Sequence, residues 1–254
     1  MLYKTLLRRC GQVLLDVAAP CYCALCGQPS QRALDLCVAC QQGLPWLGSA
    51  CRRCALPLAR DAELCGQCLR RAPAISETIA ACRYAPPVAG FIHQLKYRGD
   101  LSRVALLAEL MSTVIARRPG MTQPPDFLVP MPLHWRRRWR RGFNQADELA
   151  RALCRDSKLQ ALSLQVNRKL CRRVKATAPQ QQLQARQRRH NLQDAFQPRG
   201  EVAGLELAII DDVMTTGASA NSLAQVLLDA GARRVSLWCV ARTADPRSIG
   251  AMPD

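Results

Sequence analysis

Histidine, acidic residues and long apolar runs are all scarce in this chain, and each scarcity removes possibilities. Three histidines among 254 residues support little chemistry by themselves. No stretch is long and apolar enough to span a bilayer. Acidic residues number 19 against 36 lysines and arginines, for a formal net charge of +17. From Ser157 through Gln193 there is no Asp or Glu at all, and nine Lys or Arg fall in that stretch. So strong and local a charge disfavours cationic partners. It suits polyanions such as phosphorylated metabolites, nucleic acid or an anionic membrane surface, with a merely solvated basic face as the alternative. A secretory leader is not expected, since Asp16 interrupts the one candidate apolar core and Pro20 before Cys21 spoils a lipoprotein-type cleavage site. Residues 1–19 instead space Leu2, Leu6, Leu7, Val13, Leu14 and Val17 as one face of an amphipathic docking helix. The expected location is cytoplasmic.

Cysteine, by contrast, is abundant, with fourteen in the chain. Eight form C-x-x-C pairs: Cys23/Cys26, Cys37/Cys40, Cys51/Cys54 and Cys65/Cys68. Each pair starts fourteen residues after the last, which marks an internal repeat. A C-x-x-C knuckle presents two thiolates on one turn at the separation that tetrahedral zinc requires. Four pairs therefore make two four-cysteine zinc sites. With every position filled by thiolate, both are structural, and they supply the core that so short a segment lacks. Equal spacing is compatible with consecutive ribbons or with interleaved ones, and consecutive pairing closes the shorter loops. Cys10, Cys21, Cys82, Cys154, Cys171 and Cys239 are left over as small hydrophobes. The expected organisation is a helix over 1–19, a double zinc ribbon over 20–72 and a larger domain over 73–254.

Beyond Ile75 the pattern becomes α/β. Strands are expected at Ile79–Tyr84, Phe127–Met131, Leu205–Ile210 and Val235–Val240. Helices are expected at Val88–Lys96, Leu101–Arg117, Asn144–Cys154 (with Asn144 as cap) and Ala218–Ala230, the last stopped by Gly231. Alternation of this kind implies a parallel sheet covered by helices on both faces.

The most informative string is Leu207-Ala-Ile-Ile-Asp-Asp-Val-Met-Thr-Thr-Gly-Ala-Ser219. An apolar strand delivers Asp211 and Asp212 to its C-terminal end, where ligands bind in open α/β sheets. The turn Val213, Met214, Thr215, Thr216, Gly217, Ala218, Ser219 then leads into a helix N-terminus. Backbone N–H groups and hydroxyls there suit a phosphate, and Gly217 permits close backbone approach. The two carboxylates can accept hydrogen bonds from vicinal ribose hydroxyls and help hold Mg²⁺.

This string resembles the phosphoribosyl pyrophosphate (PRPP) signature of type I phosphoribosyltransferases. With the cysteine pairs, His93-Gln-Leu-Lys-Tyr-Arg-Gly99, Val129-Pro-Met-Pro132, Arg141-Gly-Phe-Asn-Gln145, Ala176-Thr-Ala-Pro-Gln180 and Arg186 through Phe196, the chain is similar to the ComF/GntX family of competence and DNA-utilisation proteins. The resemblance implies a type I phosphoribosyltransferase-like sheet behind a double zinc ribbon, and transfer of the 5-phosphoribosyl group from PRPP–Mg²⁺ with release of pyrophosphate. Asp211 and Asp212 would orient the ribose, and residues 215–219 would hold its 5′-phosphate. Lys96 and Arg141 would contact pyrophosphate, and Arg172–Gln180 would close over the ligand.

Other positions stay open. Asn144 and Gln145 either make polar contacts or start their helix, while His93, on a helix beside apolar neighbours, reads as packing and His134, after the strand-end prolines, is placed to meet phosphate. Trp135 and Trp139, interleaved with Arg136, Arg137, Arg138, Arg140 and Arg141, suit single-stranded DNA or surface packing. An accessory role is therefore the competing reading: a module that senses PRPP or a nucleotide, binds single-stranded DNA, and partners a DNA-uptake helicase or competence proteins. A glutamine-dependent amidotransferase is disfavoured by the Met1-Leu2 start and the lack of room for a glutaminase domain.

Overall fold

The computed structural model describes residues 21–59, 62–118, 124–175 and 195–243. The amphipathic segment 1–19, residues 176–180 of the closing loop, and the helix expected over Gln180–Asn191 with Arg186, Arg189 and His190 lie outside the described residues. The chain divides into two compact units, Met1–Leu44 and Pro45–Asp254. The first holds the short helix α1 (Val38–Gln42) and the second begins with α2 (Gly66–Arg70).

The two ribbons repeat one another bond for bond. Cys23 N donates to Gln28 O, Ala24 N to Asp35 O and Gly27 N to Cys23 O. Twenty-eight residues on, Cys51 N donates to Leu56 O, Arg52 N to Glu63 O and Ala55 N to Cys51 O. Each knuckle ends on a left-handed residue, Gly27 at φ 71° and Ala55 at φ 53°. Alanine is strained in that region by roughly 1 kcal/mol. Its methyl offsets this by packing into the main core, where Ala55 is 1% exposed.

The second unit is built on strands β1 (Glu77–Arg83), β2 (Phe127–Pro130), β5 (Glu206–Met214) and β6 (Arg234–Arg242). They form a four-stranded sheet in the order β1-β6-β5-β2, with every pairing parallel. Between them run α3 (Val88–His93), α4 (Ser102–Ala116), α5 (Trp135–Arg141), α6 (Gln145–Arg155) and α7 (Ala218–Asp229). A small antiparallel pair, β3 (Cys171–Arg173) with β4 (Phe196–Pro198), stands outside this sheet. Leu207 and Ile209 of β5 alternate onto one face with Val235, Leu237 and Cys239 of β6. There they meet Leu223, Ala224 and Leu227 of α7. Helices α4 and α6 pack on each other and on the sheet. Burial on both faces explains why these strands read as unbroken apolar runs. Cys82, Cys171 and Cys239 are buried, as expected of small hydrophobes.

Three elements differ from expectation. The arginine-rich stretch after β2 is helical: His134 Nδ1 accepts from Arg136 N at 3.3 Å, and Gly142 ends the helix at φ 82°. Strand β5 runs on through both aspartates to Met214, because β6 continues alongside it and pairs Asp211 with Cys239 and Met214 with Arg242. His93 is exposed, and its ring lies 4.7 Å from that of Tyr97.

Candidate functional site

Two groups of four cysteines converge. Cys23, Cys26, Cys37 and Cys40 form one, and Cys51, Cys54, Cys65 and Cys68 the other, with all sulfurs of a group within 4.8 Å of one another. Consecutive pairs thus join, as the shorter loops favour. Cys26 and Cys37 sulfurs are 3.9 Å apart, and Cys54 and Cys65 sulfurs 3.6 Å. The edge of a tetrahedron with Zn–S bonds of ~2.3 Å is ~3.8 Å, so both groups fit structural zinc and leave no ligand position open.

The second convergence lies at the C-terminal end of β5. Asp212 is 2% exposed, and its backbone N–H donates to Asp211 Oδ1 at 2.9 Å. Lys96 reaches it from the chain that follows α3: Lys96 Nζ lies 2.8 Å from Asp212 Oδ1. Residues Gln94–Arg98 form a π-helical turn, a widening often found at functional sites. Burial works against the Lys96 charge, but Asp212, then Asp211 and Tyr84, outweigh it and hold the ammonium above its ordinary pKa. Burial, then the Asp212 charge, raises Asp211 from 3.8 to about 7 despite Lys96.

Basic groups ring this pair. The Arg141 guanidinium lies 5.9 Å from the Tyr97 ring centroid and bonds Gln145 Oε1. Burial lowers its pKa, while Asp212 opposes that shift. Arg173 of β3 is likewise lowered by burial and by Arg137, against the pull of Asp211. Asn144 caps α6, accepting from Ala146 N at 3.1 Å, and donates Nδ2 to Met131 O at 3.1 Å, which ties the end of β2 to the start of α6.

Thr215, Thr216 and Gly217 turn the chain from β5 into α7, whose first residues are Ala218 and Ser219. Gly217 sits at φ 73°, in the left-handed region, and a Cβ there would meet the flexible end of the Met214 side chain. As the N-cap of α7 it has no side chain to offer the helix start; Thr216 Oγ1 accepts from Ala218 N at 3.3 Å instead, and the helix dipole faces the turn. Lys96, Asp211 and Asp212 are thus in contact or adjacent. Arg141 is within electrostatic reach of Asp212, and Val213 through Ser219 form the strand end, turn and helix start. Tyr84 and Arg242 were not anticipated. A lone arginine ending an apolar strand was the available signal for Arg242.

A parallel α/β domain with an acidic strand end leading into a glycine turn and a helix start, preceded in the chain by a double zinc ribbon, is the class these features define. Residues 14–69 match the family model described as a double zinc ribbon domain. The DNA utilization protein YhgH of Salmonella typhimurium is 37% identical over 230 residues, covering 89% of this chain and 99% of that protein. Its counterpart in Escherichia coli is 36% identical over 225 residues, covering 87% and 90%. Competence protein F of Haemophilus influenzae is 31% identical over 179 residues, covering 68% and 76%. The chain belongs to the ComF/GntX family of competence and DNA-utilisation proteins.

Similar solved structures include a purine phosphoribosyltransferase from Pyrococcus horikoshii, at 13% identity and TM-score 0.32, covering 54% of this chain and 73% of that one. A hypoxanthine phosphoribosyltransferase from Staphylococcus aureus has 10% identity and TM-score 0.33, covering 59% and 68%. Among the described residues no helix is long and apolar enough to cross a membrane.

Proposed function

We propose that the chain binds PRPP with Mg²⁺ and transfers the 5-phosphoribosyl group to an acceptor, in a process tied to the uptake or use of DNA. The observation that carries this reading is the acidic pair with Lys96 on it, beside the turn that leads into α7. One test of fit for Mg²⁺ is available. Asp212 Oδ2 is buried with no hydrogen-bond partner, beside a carboxylate that resists ionisation. An orphan acceptor and a strained like-charge pair are what a divalent cation would satisfy.

Asp211 and Asp212 would hold the cation directly or through water, and it would neutralise charge on the pyrophosphate. The chain's own residues position the rest. N–H groups of the turn and the hydroxyls of Thr215, Thr216 and Ser219 receive the 5′-phosphate. The aspartates accept from the ribose hydroxyls, while Lys96 and Arg141 take the pyrophosphate. The bond from ribose C1 to the pyrophosphate oxygen breaks, and pyrophosphate leaves with the electron pair. The acceptor's lone pair closes the new bond to C1. Catalysis is then mainly positioning and charge stabilisation.

A second reading has its own observation. Trp135 and Trp139 are 65% and 86% exposed on α5, and the Arg136 guanidinium lies 5.3 Å from the Trp135 ring centroid. Aromatic faces among cations suit single-stranded DNA, which agrees with the DNA-related names of the relatives. The expected result of calorimetry with PRPP and Mg²⁺ is binding. A pyrophosphate-release screen over bases, amines and nucleotides then separates the readings. Release upholds the transferase, whereas binding without release on any acceptor favours the sensing module. No PRPP binding would refute both uses of the turn.

A further inference from the structure

Arg242 ends β6 and is 7% exposed. Every described partner of its guanidinium is a carbonyl or hydroxyl oxygen; no carboxylate pairs with it among the described residues. Nε donates to Cys54 O at 2.8 Å. Nη1 donates to Met214 O at 3.3 Å and to Thr215 O. One buried cation therefore joins the backbone of a zinc knuckle to the backbone of the phosphate turn.

Peptide planarity gives this bridge a consequence. The C=O and N–H of one peptide point in opposite directions. The carbonyl of Met214 shares its peptide with the N–H of Thr215, and that of Thr215 with the N–H of Thr216. Drawing both carbonyls toward Arg242 aims both N–H groups away from the zinc knuckle, to the side where the turn would meet a phosphate. The knuckle is held firmly enough to serve as the anchor. Thr78 N donates to Arg52 O at 2.8 Å, Thr78 Oγ1 donates to Arg53 O at 2.7 Å, and Ala55 is packed in the sheet's core. Cys54, which supplies the carbonyl, also supplies a sulfur to the second group of four.

We infer that Arg242 is a positioning residue that couples the second zinc site to the phosphate turn, so that zinc in that site and PRPP each strengthen the binding of the other. The PRPP half of this inference rests on the function proposed above. Coupling is reciprocal by linkage and typically amounts to 5–150-fold. The first ribbon, in its own compact unit, serves as the internal control.

The experiment follows zinc release from the zinc-loaded full chain to a chromophoric chelator, with and without PRPP–Mg²⁺. Cys26→Ser removes the first site and identifies the phase that belongs to the second. PRPP–Mg²⁺ is expected to slow the second-site phase about fivefold or more, leaving the first unchanged. Arg242→Met should speed second-site release without ligand, abolish the protection, and weaken PRPP about tenfold. Arg242→Lys should recover part of each effect. Equal protection of both phases or of neither in wild-type protein that binds PRPP would overturn the coupling, a result that stands even if Arg242→Met does not fold. Should wild type not bind PRPP, the functional reading and the ligand half fall together. Ligand-free release then decides the strut: faster second-site loss in the Arg242 variants upholds it, and unchanged release refutes it.

Discussion

Asp211→Asn is expected to stabilise the ligand-free protein above neutral pH and to do nothing in strong acid. In the fold, Asp211 titrates near 7 rather than 3.8, through burial first and then the neighbouring Asp212 charge. Between about pH 4 and pH 7 the native chain therefore keeps a proton that the unfolded chain has released. Stability from this group is fully present below the unfolded value and is lost as pH rises through the folded one. At 1.36 kcal/mol per unit, the shift has a ceiling of about 4 kcal/mol. Asp211 retains part of its surface and shares the effect with Asp212, so about 2 kcal/mol is the expected difference after allowing for screening.

For a chain of this size that difference corresponds to about 4–8 °C in Tm. Thermal melts of wild type and Asp211→Asn, zinc-loaded and free of Mg²⁺, give the answer by subtraction. The variant should already melt somewhat higher at pH 5, where a little over a third of the interval from 3.8 to about 7 has been crossed, and by the full difference at pH 8. The same substitution should remove the stabilisation that Mg²⁺–PRPP confers on wild type. A variant that melts equally with wild type at both pH values, or lower at pH 8, would show that the acidic pair is not electrostatically frustrated.

Metal analysis should find two zinc ions per chain, and Cys37→Ser should lose one and destabilise the first ribbon; a folded protein with none would refute both sites. Asp211→Asn combined with Asp212→Asn should abolish Mg²⁺–PRPP binding by calorimetry without unfolding the domain, and unchanged affinity would refute the assignment. Gly217→Val should do likewise, since the left-handed backbone at φ 73° strains a β-branched residue and its side chain would crowd the turn; full PRPP affinity would contradict that. Leu227→Ala in α7 should cost roughly 2–5 kcal/mol in denaturant melts, and a loss well below 1 kcal/mol would move that helix off the core. Single-stranded DNA binding should fall with salt at a slope near −0.7 per phosphate contact. Arg136, Arg137 and Arg138 changed to Ala should flatten it, while Trp135 and Trp139 changed to Ala should weaken binding at an unchanged slope. The reverse pattern would place DNA elsewhere.

What could be read from the sequence was chemistry compressed into neighbouring residues. A C-x-x-C knuckle is a property of one turn, so the eight cysteines declared themselves, while loop length favoured consecutive pairing and left the choice to the structure. The thirteen residues from Leu207 to Ser219 carry strand, acids, turn and helix start in one string. Arrangements closed by distant partners were not legible. Helix α5 has no apolar period, because its sequence is arginine and tryptophan throughout, and only its caps at His134 and Gly142 mark it. Strand β5 extends past Ile210 because β6 is there to pair with it, which no local pattern near Asp211 announces. Arg242 acquires its role only when Cys54 and Thr215, far apart in the chain, arrive on either side of it.

Strand β5 has neighbours on both sides along its first half, with Leu207 opposite Phe127 of β2 and Val235 of β6. An interior strand so clamped cannot gain or lose a residue cheaply, since a slip of one would turn every side chain, Asp212 included, to the opposite face. The centre of the site is thereby closed to gradual variation by insertion. Its rim is under no such restraint: α5 and the β3–β4 pair lie outside the four-stranded sheet and can change length or charge without disturbing the register of the acids. Divergence among relatives in what they accept or bind should therefore accumulate at Trp135–Arg141 and around Arg172 and Arg173, while the acidic strand stays as it is.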